Sequence, residues 1–204
     1  MYIETEDRPM HFLKPGRVIL SLLATAGFAV AQVPSDEPPE DPDWRPKTER
    51  RILARLNDSA APVLKCDFVL NPAAGAALSM RAIPGRTTIL NFWRPNCEPC
   101  KPLLKELAAF SRRAPDGIVV LAAAEGAKQL GLVAVRQQIK TIVQESGVVF
   151  PVCGYTDHAQ TKRWQAEGVP LTLFFDGSGR VGRVALGAVE GSAALEQLRG
   201  GWRP

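Results

Sequence analysis

Two runs of this chain, "TTILNFW" (87–93) and "GIVVLAAA" (117–124), contain no charged side chain and are rich in β-branched, aromatic and small apolar residues. Runs of seven or eight such residues are strand-length, and a strand without polar alternation is buried on both faces. A sheet covered on both sides by helices is therefore the architecture that most limits the alternatives. Helical spacing fills the intervals: Leu103, Leu107 and Phe110, with Leu104 and Ala108 beside them, mark a helix from about Cys97 to Arg112, and Leu130, Val133, Ile139 and Val143 mark one over 127–146. "VVFPVC" then reads as a short strand, "HAQTKRWQAEG" as a short helix, and "LTLFFDGSGRVGRVALG" as two strands about an Asp-Gly-Ser-Gly turn; Ser192 can cap a last helix over 193–199. Upstream, "CDFVL" and "ALSM" flank the turn-rich "NPAAGA", which predicts a hairpin. The class is α/β: a mostly parallel sheet with an antiparallel hairpin added at one end.

The segments ahead of this domain differ in composition. Lys14 and Arg17 precede an apolar stretch from Val18 to Ala31 that closes on Ala29-Val30-Ala31, the small-x-small pattern of a signal-peptide cleavage site. The stretch is shorter than the roughly 20 residues that cross a bilayer, so a cleaved signal peptide over 1–31 is expected ahead of an uncleaved membrane tether. The acidic "MYIETEDRP" is unlike a signal n-region, which favours a start at Met10. Residues 32–47, "QVPSDEPPEDPDWRPK", read as a Pro-rich acidic linker, 48–60 as a short helix capped by Thr48, and 61–204 as the domain. The 25 Lys and Arg and 21 Asp and Glu are interleaved along the chain, giving a net charge of +4 with no basic stripe, so nucleic acid is not an expected partner.

"NFWRPNCEPCK" (91–101) puts Cys97 and Cys100 two residues apart, just after the first buried strand and at the head of a helix. In open α/β sheets, active sites lie beyond the carboxyl ends of strands. Unpaired N–H groups at a helix N-terminus stabilise a thiolate, so the first cysteine of such a pair is the nucleophile; the second, one turn inward, attacks the mixed disulfide formed there. The competing reading is a metal-binding or metal-delivery module for zinc or copper, with Cys97, Cys100, Cys153 and His158 as ligands. The second half of that set is Cys-x4-His, without the knuckle turns of zinc ribbons. A third reading is a redox-poor adaptor that binds extended peptides.

Taken with "GVPLTLFFDGSGRVG" some seventy residues later, "TTILNFWRPNCEPCK" resembles the exported thioredoxin-like proteins of the TlpA/ResA type, related to the cytochrome c maturation reductases. The resemblance covers about 61–199. It implies a thioredoxin fold with a central mixed sheet, an N-terminal β-hairpin and a helix and strand inserted before a cis-proline at Pro170. It implies further that Val169 offers its backbone to a substrate strand, that Trp93 lines the site, and that no bound cofactor is needed. The implied partners are exported proteins bearing thiols or disulfides, apocytochrome c or a copper-site protein among them, and a membrane electron donor or acceptor for recycling. The resemblance also brings Cys66 near Cys153, which favours a structural disulfide over two buried thiols or a second redox pair.

The chain departs from these relatives in its proton acceptors. Thioredoxins carry a buried aspartate six residues before the first cysteine; here it is Asn91. TlpA-like relatives commonly have a glutamate three residues after the second cysteine; here it is Leu103. Glu98, Glu106, Glu125 or water are the remaining candidates to take the Cys100 proton. Asn96 replaces the tryptophan that often precedes the first cysteine, Arg94 adds positive charge nearby, and Pro102 threatens the first helical turn. His158, Lys101 and Trp164 are expected in surface and packing roles.

Overall fold

A computed structural model describes residues 41–58, 62–72, 79–188 and 195. The expected signal peptide, most of the linker, the turn "AAGAAL" and the helix over 193–199 lie outside these residues, apart from Leu195, which is helical and buried.

The chain enters through helix α1 (Trp44–Asn57), whose N-cap is Asp43, five residues earlier than the Thr48 cap predicts. Pro46 falls in its first turn, where the N–H that proline lacks has no partner in any case, so a residue that reads as linker is compatible with helix. Strands β1 (Leu64–Lys65), β2 (Phe68–Leu70) and β3 (Ser79–Met80) follow. The expected hairpin divides differently: β1 pairs with β3, Leu64 opposite Met80, while "FVL" of β2 leaves to form the edge of the main sheet. Next come β4 (Thr87–Trp93), α2 (Cys100–Ser111), β5 (Ile118–Glu125), a short 3-10 turn (Lys128–Leu130) and α3 (Leu132–Glu145). The chain continues through β6 (Val152–Tyr155), α4 (His158–Arg163), β7 (Leu171–Phe175) and β8 (Val181–Leu186).

The main sheet has the order β2-β6-β5-β4-β7-β8. β4, β5 and β6 run parallel, as their unbroken apolar sequences require; β2, β7 and β8 are antiparallel to their neighbours. Successive residues of a strand point to opposite faces, and the core divides accordingly. Ile89, Trp93, Val120, Ala122, Ala124 and Phe174 meet Leu103, Leu104 and Leu107 of α2 and Val135, Ile139 and Val143 of α3. Leu90, Phe92, Leu121, Ala123, Leu173 and Phe175 meet Ile52 and Leu56 of α1 and Trp164 beyond α4. Trp164 is buried between Phe92 and Phe175, with ring centroids at 5.4 and 6.3 Å, which is the packing role expected of it.

This is the mixed sheet, helix-covered on both faces, that the resemblance implies. It sets the carboxyl ends of β4, β5 and β6 side by side, with α2 starting just beyond the first of them. Among the described residues, no helix is long and apolar enough to cross a membrane.

Candidate active site

β4 ends at Trp93, and the chain turns tightly before α2. The Cys97 N–H donates to the Arg94 carbonyl at 3.1 Å, and the Cys100 N–H to the Cys97 carbonyl at 3.1 Å. The helix itself starts at Cys100, three residues later than the spacing of leucines predicts, so Cys97 stands in the turn ahead of it. Pro102 is its third residue; as in α1, that position needs no N–H donor, and the first turn closes around it.

Cys97 and Cys100 are joined by a disulfide, with Cα atoms 5.3 Å apart. Their environments are unequal: Cys97 is half-buried, whereas Cys100 has no exposed surface and packs in the core beneath α2. An incoming sulfur can therefore reach Cys97 and not Cys100. The peptide bond between Val169 and Pro170 is cis. β7 runs antiparallel to β4 with Leu171 opposite Phe92, so continuing the register by one residue sets Pro170 beside Trp93. Val169 is half-buried against the same core cluster as Cys97, and its backbone makes no hydrogen bond among the described residues. Trp93 is fully buried, its indole N–H without a partner.

Cys66 and Cys153 form a second disulfide, Cα atoms 5.2 Å apart, beside the β2–β6 ladder. Both belong to the core on the α1 face, while Cys100 lies in the core on the α2 face. The sheet thus separates the two pairs. Cys97, Cys100, Cys153 and His158 do not converge, and among the described residues no three His, Cys, Asp or Glu side chains group as metal ligands do.

Two of the candidate proton acceptors, Glu98 and Glu125, are committed to other partners, while Glu106 lies half-buried on α2. Glu98 is exposed and bridges to Lys101 at 2.7 Å. Glu125, at the end of β5, is largely covered and holds two partners: Arg94 Nε donates to Oε2 at 2.5 Å, and His158 Nδ1 meets Oε1 at 2.7 Å. Burial pushes the Glu125 carboxyl up, but hydrogen bonds from His158, Arg94 and Thr161 and the Arg94 charge outweigh it, so the group is held below its ordinary range. It is a carboxylate at neutral pH, and the proton in its contact with His158 sits on Nδ1. Tyr155, on the same side, is pushed up to about 12 by burial, so it stays a neutral phenol sharing a hydrogen bond with Thr161. Asn91 takes the place of the buried aspartate. It alternates with Leu90 and Phe92 onto the α2 face, is fully buried, and donates from Nδ2 to Thr172 Oγ1 at 3.0 Å, leaving Oδ1 unpaired.

The contacts among Arg94, Glu125 and His158 were not foreseen, although their signal is in the sequence. Each of the two buried runs ends in a charged residue, Arg94 after "TTILNFW" and Glu125 after "GIVVLAAA", and parallel pairing of Trp93 with Ala124 brings those ends together. Beside them, a cavity of about 820 Å³ opens at the carboxyl ends of β4, β5 and β6, bounded by Arg94, Asn96, Glu125, Lys128 and His158.

Comparison with known proteins agrees with this geometry. No family model matches the chain. It is similar to the thiol-disulfide oxidoreductase ResA of Bacillus subtilis, 25% identical over 124 residues, which are 60% of this chain and 65% of that relative. The matched part is thus just under two thirds of the relative's length. Among solved structures, StoA from Bacillus subtilis superposes with a TM-score of 0.52 at 18% identity, covering 68% of this chain and 96% of StoA. A thiol-disulfide isomerase from Corynebacterium glutamicum gives 0.55 at 19% identity, covering 70% and 96%. The chain has the thioredoxin fold.

Proposed function

We propose that this chain, a thioredoxin-fold relative of the ResA thiol-disulfide oxidoreductases, is itself an exported thiol:disulfide oxidoreductase in which Cys97 attacks and Cys100 resolves. The observation that carries the reading is the inequality within the Cys97–Cys100 disulfide, a half-buried sulfur ahead of a helix and a fully buried one inside it.

In the reducing direction the Cys97 thiolate attacks a partner disulfide, forming a Cys97–partner bond and releasing one partner thiolate. The Cys100 sulfur, having given up its proton, then attacks Cys97. The mixed disulfide breaks, the second partner sulfur leaves as thiolate, and Cys97–Cys100 closes. Two electrons pass from this dithiol to the partner, and the two protons end on the partner's thiols. The oxidising direction is the same path reversed, and the relative potentials of the two couples select between them. The positive end of α2 favours the thiolate on Cys97. Val169, with its backbone hydrogen bonds unmade, offers an edge to which an extended partner segment can add as a strand, with Pro170 and Trp93 behind it.

Export fits a chain whose leader closes on a signal-peptide pattern and whose four cysteines are all paired. On this reading the partners are exported proteins with thiols or disulfides, and a membrane donor or acceptor recycles the pair.

The test is selective trapping. After mild reduction, Cys97 should be alkylated by iodoacetamide well ahead of Cys100, and Cys100→Ser should accumulate mixed disulfides with exported proteins through Cys97. Stoichiometric zinc or copper that blocks alkylation would establish the metal reading instead, and a Cys100→Ser variant that traps no partner would favour the adaptor.

A further inference from the structure

Arg94 joins three segments of the site. Its carbonyl accepts the Cys97 N–H at 3.1 Å. Its guanidinium donates from Nε to Glu125 Oε2 at 2.5 Å, at the end of β5, and from Nη1 to the Glu167 carbonyl at 3.2 Å, in the loop that runs into Val169-Pro170. Glu125 is fixed in turn, because His158 at the head of α4 holds its other oxygen at 2.7 Å. The arginine side chain is 27% exposed and the glutamate 11%, so this is a largely covered contact and not a surface pair free to exchange with water.

We propose that Arg94 is a positioning residue that sets the spacing between the Cys97 turn and the Val169 edge, and so governs reaction with protein disulfides while leaving reaction with small disulfides nearly unaffected. The inference rests on the oxidoreductase reading above. Two donors of one rigid planar fork, aimed at two segments, fix direction as well as distance, which a flexible lysine ammonium cannot do. The charge is balanced locally by Glu125, so the contribution of Arg94 is geometric more than electrostatic. A protein disulfide must reach Cys97 while its flanking backbone lies along Val169; a small disulfide has only to reach Cys97. Misplacement by an ångström can cost a two-point reaction on the order of a hundredfold, and a one-point reaction has no such requirement.

The experiment compares the full-length wild type with Arg94→Gln and Arg94→Lys, each reduced, in exchange with insulin as the protein disulfide and with 5,5′-dithiobis(2-nitrobenzoate) as the small one. The expected result is a loss of roughly tenfold or more with insulin, expressed mainly in KM, with the small disulfide within about twofold and, in Arg94→Lys, which keeps the charge beside Glu125, the pH midpoint of Cys97 alkylation unmoved. Arg94→Lys should behave like Arg94→Gln, because it keeps the charge and loses the fork. A urea midpoint for each variant establishes that the domain is folded. Equal losses with both probes, no loss with either, an alkylation midpoint shifted in Arg94→Lys, or full rescue by lysine would each overturn the proposal while leaving the oxidoreductase reading intact. A wild type that exchanges with neither probe would remove the oxidoreductase reading itself.

Discussion

Replacing Asn91 by aspartate puts back the acid that thioredoxins keep beneath their cysteines, and the surroundings of Asn91 determine what that acid will do. The side chain has no exposed surface, its Nδ2 donates to Thr172 Oγ1 at 3.0 Å and to the Leu171 carbonyl at 3.4 Å, and its Oδ1 has no partner. An aspartate keeps the shape and loses both donors. The Thr172 hydroxyl can turn to donate to it, whereas the Leu171 carbonyl cannot, at a cost of about 1 kcal/mol. Full burial raises a carboxyl by about 3–5 units; with one hydroxyl bond offsetting part of this, a net rise of about 3 units places its titration near pH 7, against about 3.9 in the unfolded chain. A folded-state pKa raised above the unfolded one means that the unfolded chain ionises first as pH increases. The penalty is therefore absent well below pH ~4, grows through the interval between the two values, and levels off above the folded value. At about 1.36 kcal/mol per unit, Asn91→Asp should lose about 2 kcal/mol against wild type at pH 4.5 and about 5 kcal/mol at pH 8.5. Urea denaturation of both proteins in their oxidised form, at each pH, measures the difference directly. Losses that agree within about 1 kcal/mol at the two pH values would refute the argument, because they would mean that water reaches the site beneath Cys100.

Two further perturbations follow from the same structure. The Cys66–Cys153 bond closes a separation of 87 residues, for which chain entropy gives about 4–5 kcal/mol, so the double replacement by serine should lower the unfolding free energy by that order while Cys97 remains reactive; a shift below about 1 kcal/mol in denaturant titration would contradict it. Glu125→Gln should cost about 1–3 kcal/mol at pH 7, and because the folded carboxyl lies below its ordinary 4.5, the wild type holds this advantage above that value and loses it as pH falls through the folded one. The gap between the two proteins should accordingly narrow in unfolding measurements at pH 3.

What the sequence made legible, and what it did not, divides along one physical line. Burial on both faces is written into "TTILNFW" and "GIVVLAAA", so the strands, their parallel pairing and the place of Cys97 beyond a carboxyl end could be read residue by residue. Partner choice is not written locally. Periodicity marks "FVL" as a strand but carries no term for its neighbour, and the edge beside Val152–Tyr155 was open to it, so β2 left the expected hairpin. Helix ends were displaced for related reasons: Pro46 is tolerated in the first turn of α1 and so marks no boundary, and the leucine spacing marks the buried face of α2 without showing that Cys97 stands in the turn ahead of it. The same limit hid the most consequential contact. Asn91, Leu103 and Arg94 were each visible as departures from the thioredoxin pattern, and each taken alone suggested a missing base or an added charge. Only the register of β4 against β5 shows that the departures are linked, because Glu125, a candidate base in the sequence, is committed to Arg94 and His158 in the fold. The site has therefore exchanged an acid beneath Cys100 for an ion pair beside Cys97. With Glu98 and Glu125 committed to other partners, removal of the Cys100 proton is left to Glu106 or solvent, and for that reason the pH dependence of mixed-disulfide resolution, more than of attack, should distinguish this protein from thioredoxins.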